Sequence, residues 1–321
     1  MMRKSVYPAL LAVSLFLCGC CGIAPETQAE KFAAFLQSPL ILAHTGPGVY
    51  SQLPSRWAKD IYLINYSQLY ANYADNVDFT LRDRMIVLQK STAQALYSPE
   101  SVPVPRYVPG SRPVLEEAVK KCLVAGNEQE TVLNIMRFCR DLHEKRYPDQ
   151  PLEYGGREEK MIERGEILCE ELARLAVAMG EIAGIPGRIV LHIGGGHYTS
   201  EFYINGAWAW CDPRMGFYLL HEDGRLASVQ DFRDDPGIID RQSDAVKREV
   251  VGYTTWEVRA GRCRDLYSHP DELNCFAYYS LADEDKYSFT VLTHEEALNN
   301  GLMEYNAIYG KLIGDLPKRP R

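Results

Sequence analysis

Asn205-Gly206 stands between two runs rich in aromatic and β-branched residues, His197 to Ile204 (HYTSEFYI) and Ala207 to Asp212 (AWAWCD). Asn-Gly suits the positive φ angles of a two-residue type I′ turn, so this stretch predicts a β-hairpin. In that register Ile204 opposes Ala207, and continuing outward His197 opposes Arg214 while Asp212 opposes Thr199. His197 and Asp212 are then diagonal neighbours on one face of the ribbon, with Cα atoms roughly 7–8 Å apart, close enough for an imidazole to reach a carboxylate. Glu201, Tyr203, Trp208 and Trp210 share that face. A slip of one residue would send the pair to opposite faces.

A helical pattern precedes the hairpin. Leu168, Leu172, Leu175, Ala176, Met179, Ile182 and Ala183 recur at threes and fours, which predicts a helix from Gly165 to about Gly184, with Pro186 just beyond. Arg188 to Ile193 reads as a short strand and Gly194 to Gly196 as a turn. Cys169 falls near the start of the helix, where unpaired N–H groups and the helix dipole favour an anion. Glu170 and Glu171 oppose a neighbouring thiolate, so an imidazolium has to do most of the stabilising.

Taken singly, Cys169 reads as a buried structural cysteine, His197 as a satisfied histidine and Asp212 as a turn residue before Pro213. In helix-then-hairpin order they form a set suited to acyl transfer on sulfur. Cys169 is the nucleophile as a thiolate. His197 is the base, and Asp212 orients it and stabilises its cation. His192 is a rival base but lacks an aspartate at hairpin spacing.

The N-terminal segment sets the expected compartment. Arg3 and Lys4 precede an apolar run from Ala9 to Leu17, too short to span a bilayer, which reads as a secretory signal. Its end, Leu17-Cys18-Gly19-Cys20, resembles a bacterial lipobox. Cys20 follows the small Gly19 and has Leu17 three positions back, so Cys20 is the expected lipid-bearing residue. Removal of residues 1–19 takes the net charge from −8 to −10, because Arg3 and Lys4 leave with them. That acidity argues against nucleic acid and against charge-driven docking on anionic lipid. Membrane association is expected through acyl chains on Cys20. The expected location is the bacterial cell envelope, facing the periplasm or exterior.

The rest of the chain divides by pattern. Residues 20–97 are expected to be a tether and a helical N-terminal region, with a helix around Glu30 to Gln37 and helical character over residues 55–97. Tyr62, Tyr66, Tyr70 and Tyr73 line one face of that stretch, read as a core-facing stripe. The proline-rich residues 98–113 read as a linker. A second helix follows, in which Val132, Ile135, Met136, Cys139, Leu142 and His143 share a face. The core spans residues 114–225 and a C-terminal α+β extension covers 226–321. That extension is read as an acidic loop near Asp231 to Asp235, a strand at Tyr287 to Leu292 and a helix from Glu295 to Tyr309. Besides Cys20 and Cys21, the mature chain carries Cys122, Cys139, Cys169, Cys211, Cys263 and Cys275. Cys263 with Cys275 is the easiest disulfide to close, although sequence leaves connectivity open. No cysteine or histidine spacing suggests a metal site, no acidic loop has calcium-ligand spacing, and no cofactor is expected.

The windows CEELA, AGIPGRIV, HYTSEFY and W-x-x-x-D-P resemble the core of the transglutaminase-like superfamily over roughly Thr131 to Gly216. The resemblance implies a papain-like α+β fold, with the nucleophile helix packed on an antiparallel sheet. It implies Cys169 as nucleophile, His197 as general base and acid, and Asp212 as orienter. Glu201 and Trp208 match family-type positions of the hairpin. Two positions differ from the usual pattern: Ile167 stands where glycine is common, and Thr199 where an aromatic is common. The implied reaction is attack on a carboxamide or peptide carbonyl to form a thioester. Water as acceptor makes a protease or amidase, an amine a transglutaminase. An envelope location suggests protein or cell-wall peptide substrates. The alternative reading is a catalytically inactive binding or scaffold lipoprotein that keeps the fold.

Overall fold

The computed structural model describes residues 26–45, 85–145, 153–154, 157–166, 168–192, 197–249, 255–268, 274–282 and 292–293. Cys20, the tyrosines at 62, 66, 70 and 73, Ile167 and the helix expected from Glu295 to Tyr309 lie outside them. Among the described residues the architecture is mixed α+β, with helices packed around an antiparallel sheet.

The strands are β1 (Ile86–Leu88), β2 (Glu153–Tyr154), β3 (Gly187–His192), β4 (His197–Ile204), β5 (Ala207–Asp212), β6 (Phe217–Tyr218), β7 (Asn274–Ala277) and β8 (Leu292–Thr293). Six of them form one sheet in the order β1-β7-β3-β4-β5-β6, while β2 and β8 pair separately. Every pairing is antiparallel. The sheet therefore draws β1 from the N-terminal region and β7 from the C-terminal extension. The helical character expected over residues 55–97 does not hold at 86–88, which form a strand paired with Asn274 to Phe276. A run of three consecutive apolar residues, all fully buried here, carries no period by which helix and strand differ.

Alternation along the strands divides the core into two layers. On one face Ile189, Leu191, Tyr198, Phe202, Ile204, Ala209, Cys211 and Cys275 join a cluster with the helices Glu128–Lys145 and Cys169–Ile182. On the other, Val190, Trp210, Phe217 and Phe276 join Ile86, Leu88, Phe232, Ala260 and Cys263. The period of two along a strand produces this division directly. It also separates Cys263 from Cys275. Both are free thiols in different layers, so the disulfide expected between them is absent. Twelve residues of chain suffice to close a loop, but these two side chains lie on opposite faces of the sheet.

The helix Glu128–Lys145 buries Val132, Ile135, Met136, Cys139 and Leu142, as its spacing predicts. The helix Cys169–Ile182 begins four residues later than Gly165, which instead takes φ 72. It ends in a Schellman turn: Gly184, at φ 77, donates to Glu181, and Ile185 N–H donates to the Gly180 carbonyl at 2.8 Å. The acidic stretch near Asp231 is a short helix, Val229–Asp234, started by a capping box between Ser228 and Asp231. The proline-rich segment 98–113 is packed on the fold. Ser101 is fully buried and accepts from Trp208 Nε1 at 3.1 Å, and Arg106 N–H donates to Glu181 Oε1 at 2.9 Å. Among the described residues no helix is long and apolar enough to cross a membrane.

Gly180 fixes how closely the helix Cys169–Ile182 approaches β4. A Cβ there would lie 2.6 Å from Phe202 Cε1 and 3.2 Å from the Ile185 carbonyl oxygen. The Phe202 ring is fully buried and has no room to yield. Gly180→Ala is therefore expected to lower stability by about 1–2 kcal/mol in a denaturant titration, despite the better helix propensity of alanine. An unchanged or raised midpoint would show that the helix can step back from the sheet.

Candidate active site

The hairpin has the register that the sequence predicts. Ser200 pairs Cys211, Glu201 pairs Trp210 and Ile204 pairs Ala207, around a turn with φ 51 at Asn205 and 82 at Gly206. His197 and Asp212 consequently meet: the imidazole Nε2 donates to Asp212 Oδ2 at 2.7 Å. Asp212 Oδ1 accepts the backbone N–H groups of Arg214 and Met215, both at 3.0 Å. Both side chains are buried. Burial alone would raise the Asp212 carboxyl, but His197, the Met215 N–H and Arg259 outweigh it and hold the group below its ordinary value. An ionised Asp212 keeps the proton of the neutral ring on Nε2. The lone pair then sits on Nδ1, which is buried and has no hydrogen-bond partner.

Cys169 opens its helix, with Leu168 as an N-cap that makes no side-chain bond. The buried Glu166 takes over part of that task, accepting the Leu168 N–H at 2.9 Å and pairing with Arg164 at 2.7 Å. Cys169 belongs to the helix-side layer, whereas His197 and Asp212 project from the other face of the sheet beside Trp210, Met215 and Phe217. The sulfur arrives at the end of β4, where the Tyr198 backbone N–H bonds to it. Its own proton goes elsewhere: Sγ–H donates to Glu170 Oε2 at 3.3 Å. Burial and then Glu170 push the thiol well above the usual cysteine range, against the opposing pull of Arg214 and the Tyr198 N–H. The structure thus joins His197 to Asp212 and sets Cys169 against the residue next to His197, with its thiol proton held by Glu170.

The carboxylates behind the sulfur form a buried ionic group. Glu171 pairs with Arg174 at 2.8 Å, and burial raises it to about 7 despite that arginine. Arg174 also lies 3.9 Å from Glu158, which bonds Arg112 and the Tyr279 hydroxyl. Sequence reasoning noted Glu170 and Glu171 as neighbours of the thiol and placed Arg214 opposite His197, but missed Glu166, Arg259 and the part that Arg214 plays. Only an acidic residue three positions before Cys169 signalled the first, and no local pattern marked the arginines.

His192 is accounted for. Its Nδ1 bonds Asn274 Oδ1 at 2.6 Å and its Nε2 bonds Thr199 Oγ1 at 2.9 Å, and Trp210 Nε1 donates to the same hydroxyl at 2.8 Å. Burial, then the neighbouring His197, lowers it to about 3. It is a neutral ring stacked 6.2 Å from His197, with both nitrogens occupied, so it is no rival base. Thr199 serves as the polar junction of this chain, which an aromatic side chain at that position could not do. Among the described residues no group of three or more His, Cys, Asp or Glu side chains is arranged to hold a metal ion.

Residues 118–213 match the model of the transglutaminase-like superfamily. The chain therefore carries a transglutaminase-like domain, and Cys169, His197 and Asp212 all fall within the matched segment. Neither the curated proteins nor the solved structures yield a match to the chain.

Proposed function

We propose that this protein is a cysteine acyl-transfer enzyme of the cell envelope, anchored by lipid at Cys20, that works through Cys169, His197 and Asp212 on a peptide or carboxamide carbonyl. The observation that carries the reading is the buried His197–Asp212 pair, which leaves the lone pair of Nδ1 unpartnered beside the end of β4. An imidazole so oriented is ready to accept one proton. The thiol of Cys169 supplies it when its S–H turns from Glu170 toward Nδ1. The thiolate adds to the carbonyl, and the imidazolium returns the proton to the leaving amine. Water or an amine then resolves the thioester. The superfamily match and the helix-terminal position of Cys169 support the same reading.

Iodoacetamide is expected to label Cys169 faster than Cys122, Cys139, Cys211, Cys263 or Cys275 near neutral pH, read by peptide mapping. His197→Ala should slow that labelling about tenfold or more, because it removes the proton acceptor. Incubation with glutamine-containing and cell-wall peptides should leave a hydroxylamine-sensitive adduct on Cys169, and the released product names the acceptor. Equal labelling of all six thiols, together with no adduct, would instead favour a scaffold that keeps only the fold.

A further inference from the structure

Glu170 has no part in a Cys-His-Asp relay, yet it holds the hydrogen bond of the Cys169 thiol. Its side chain sits at the second position of the helix, is 8% exposed, and reaches Sγ with Oε2 at 3.3 Å. Once His197 has taken the thiol proton, an ionised carboxylate at that distance would oppose both the thiolate and any negative charge developing beside it. A protonated carboxyl has the opposite effect, since the same contact then runs from O–H toward the charge. The surroundings shift the group in that direction. Burial raises Glu170, and Glu166 from the preceding segment adds to it; its own N–H, the thiol and Arg214 from the turn after β5 pull the other way without prevailing. Glu171 on the same helix, paired with Arg174 and facing Arg164, and the His197–Asp212 pair between β4 and β5 are further ionisable groups around the site.

We propose that Glu170 acts as a neutral carboxylic acid whose O–H, together with the Cys169 backbone N–H, hydrogen-bonds the oxyanion formed when the Cys169 sulfur adds to a carbonyl. This rests on Cys169 being the nucleophile. The N–H of Cys169 opens the helix and has no acceptor within it. A group that touches Sγ at 3.3 Å reaches an oxygen two bonds from that sulfur when the carbonyl enters on the Glu170 side. In the step, the Sγ–C bond forms, the carbonyl π pair moves onto oxygen and the thiol proton passes to His197 Nδ1. On collapse that pair returns, the bond to the leaving group breaks, and Glu170 keeps its proton throughout. Acylation then weakens as pH rises through the ionisation of Glu170.

Two probes on the full chain separate this role from general reactivity. p-Nitrophenyl acetate acylates a thiol through an oxyanion and releases p-nitrophenolate, whereas iodoacetamide alkylates by displacement with no oxyanion. For Glu170→Leu the ratio of acylation to alkylation rate is expected to fall on the order of 10²-fold, as for loss of one oxyanion donor. Glu170→Gln, which still offers an N–H, should keep the ratio within about tenfold of the unsubstituted chain and abolish the decline at high pH. An unchanged ratio in Glu170→Leu, or the same high-pH decline in Glu170→Gln, would overturn the proposal. If Glu170→Leu does not fold, the pH profile of Glu170→Gln decides alone. Cys169→Ala is the separate control: acylation at the unsubstituted rate in that variant would defeat the nucleophile assignment itself.

Discussion

Asp212→Asn is expected to lower acyl transfer by about 10⁴-fold while leaving the fold intact, and the reason is which oxygen is already occupied. Asp212 Oδ1 accepts two backbone N–H groups, from Arg214 and Met215. An asparagine must place its only oxygen there, which turns its NH₂ toward His197 Nε2. That nitrogen then has to accept, the ring proton moves to Nδ1, and the lone pair that should take the thiol proton is lost. Thioester formation measured with p-nitrophenyl acetate gives the rate, and ¹⁵N chemical shifts of the imidazole report the tautomer. A variant that keeps its rate, or that loses it with the proton still on Nε2, would refute this account. Asp212→Ala lacks the misdirected donor, and its ring is free to adopt either tautomer.

Glu201→Ala is expected to remove about 3–5 kcal/mol of stability, a large share of what a domain of this kind possesses. Glu201 and Arg188 are both fully buried, joined by two bonds to Oε2 at 2.9 and 2.6 Å. The other oxygen accepts the Tyr97 hydroxyl at 2.9 Å and the Val229 N–H at 2.7 Å. The guanidinium lies 3.8 Å from the Trp208 ring centre and 3.9 Å from that of Phe276, and donates to the Leu96 carbonyl at 2.7 Å. Truncating the glutamate leaves a cation with no counter-charge in a closed interior. Arg188→Leu combined with Glu201→Leu removes both charges and is expected to recover much of the loss, because no buried ion remains. Urea unfolding of the single and double variants checks this. Equal destabilisation in both would mean that packing, and not charge, makes the pair indispensable.

How much of this was readable in advance depended on how local the signal was. Asn205-Gly206 and the alternation on either side fix a register within the hairpin itself, so the meeting of His197 and Asp212 followed from the residue order alone. The helix Cys169–Ile182 and its glycine stop were equally local, save for a start shifted from Gly165 to Cys169. Strand Ile86–Leu88 was not, since its identity comes from a partner near residue 275. The arginines had the same difficulty: Arg214 and Arg259 act on Cys169 and Asp212 only once the chain has folded back. Glu170 was visible as a neighbour of the thiol, but its burial and its hold on the thiol proton are three-dimensional facts. The unpaired Cys263 and Cys275 show the opposite failure, in which short separation along the chain was read as nearness in space.

The two-layer core has a consequence for how such a protein changes over time. Cys169 travels with one layer, while His197 and Asp212 face the other, and β4 links them: its His197 bonds Asp212 and its Tyr198 N–H bonds the sulfur. Volume-conserving repacking within either layer costs little stability yet can shift the sulfur relative to the ring. On the proposed mechanism, reactivity can therefore drift under substitutions far from all three residues, with no trace at the site itself. Inspection of the three side chains is then a poor guide to which descendants stay active, and the alignment of the layers across β4 is the better one.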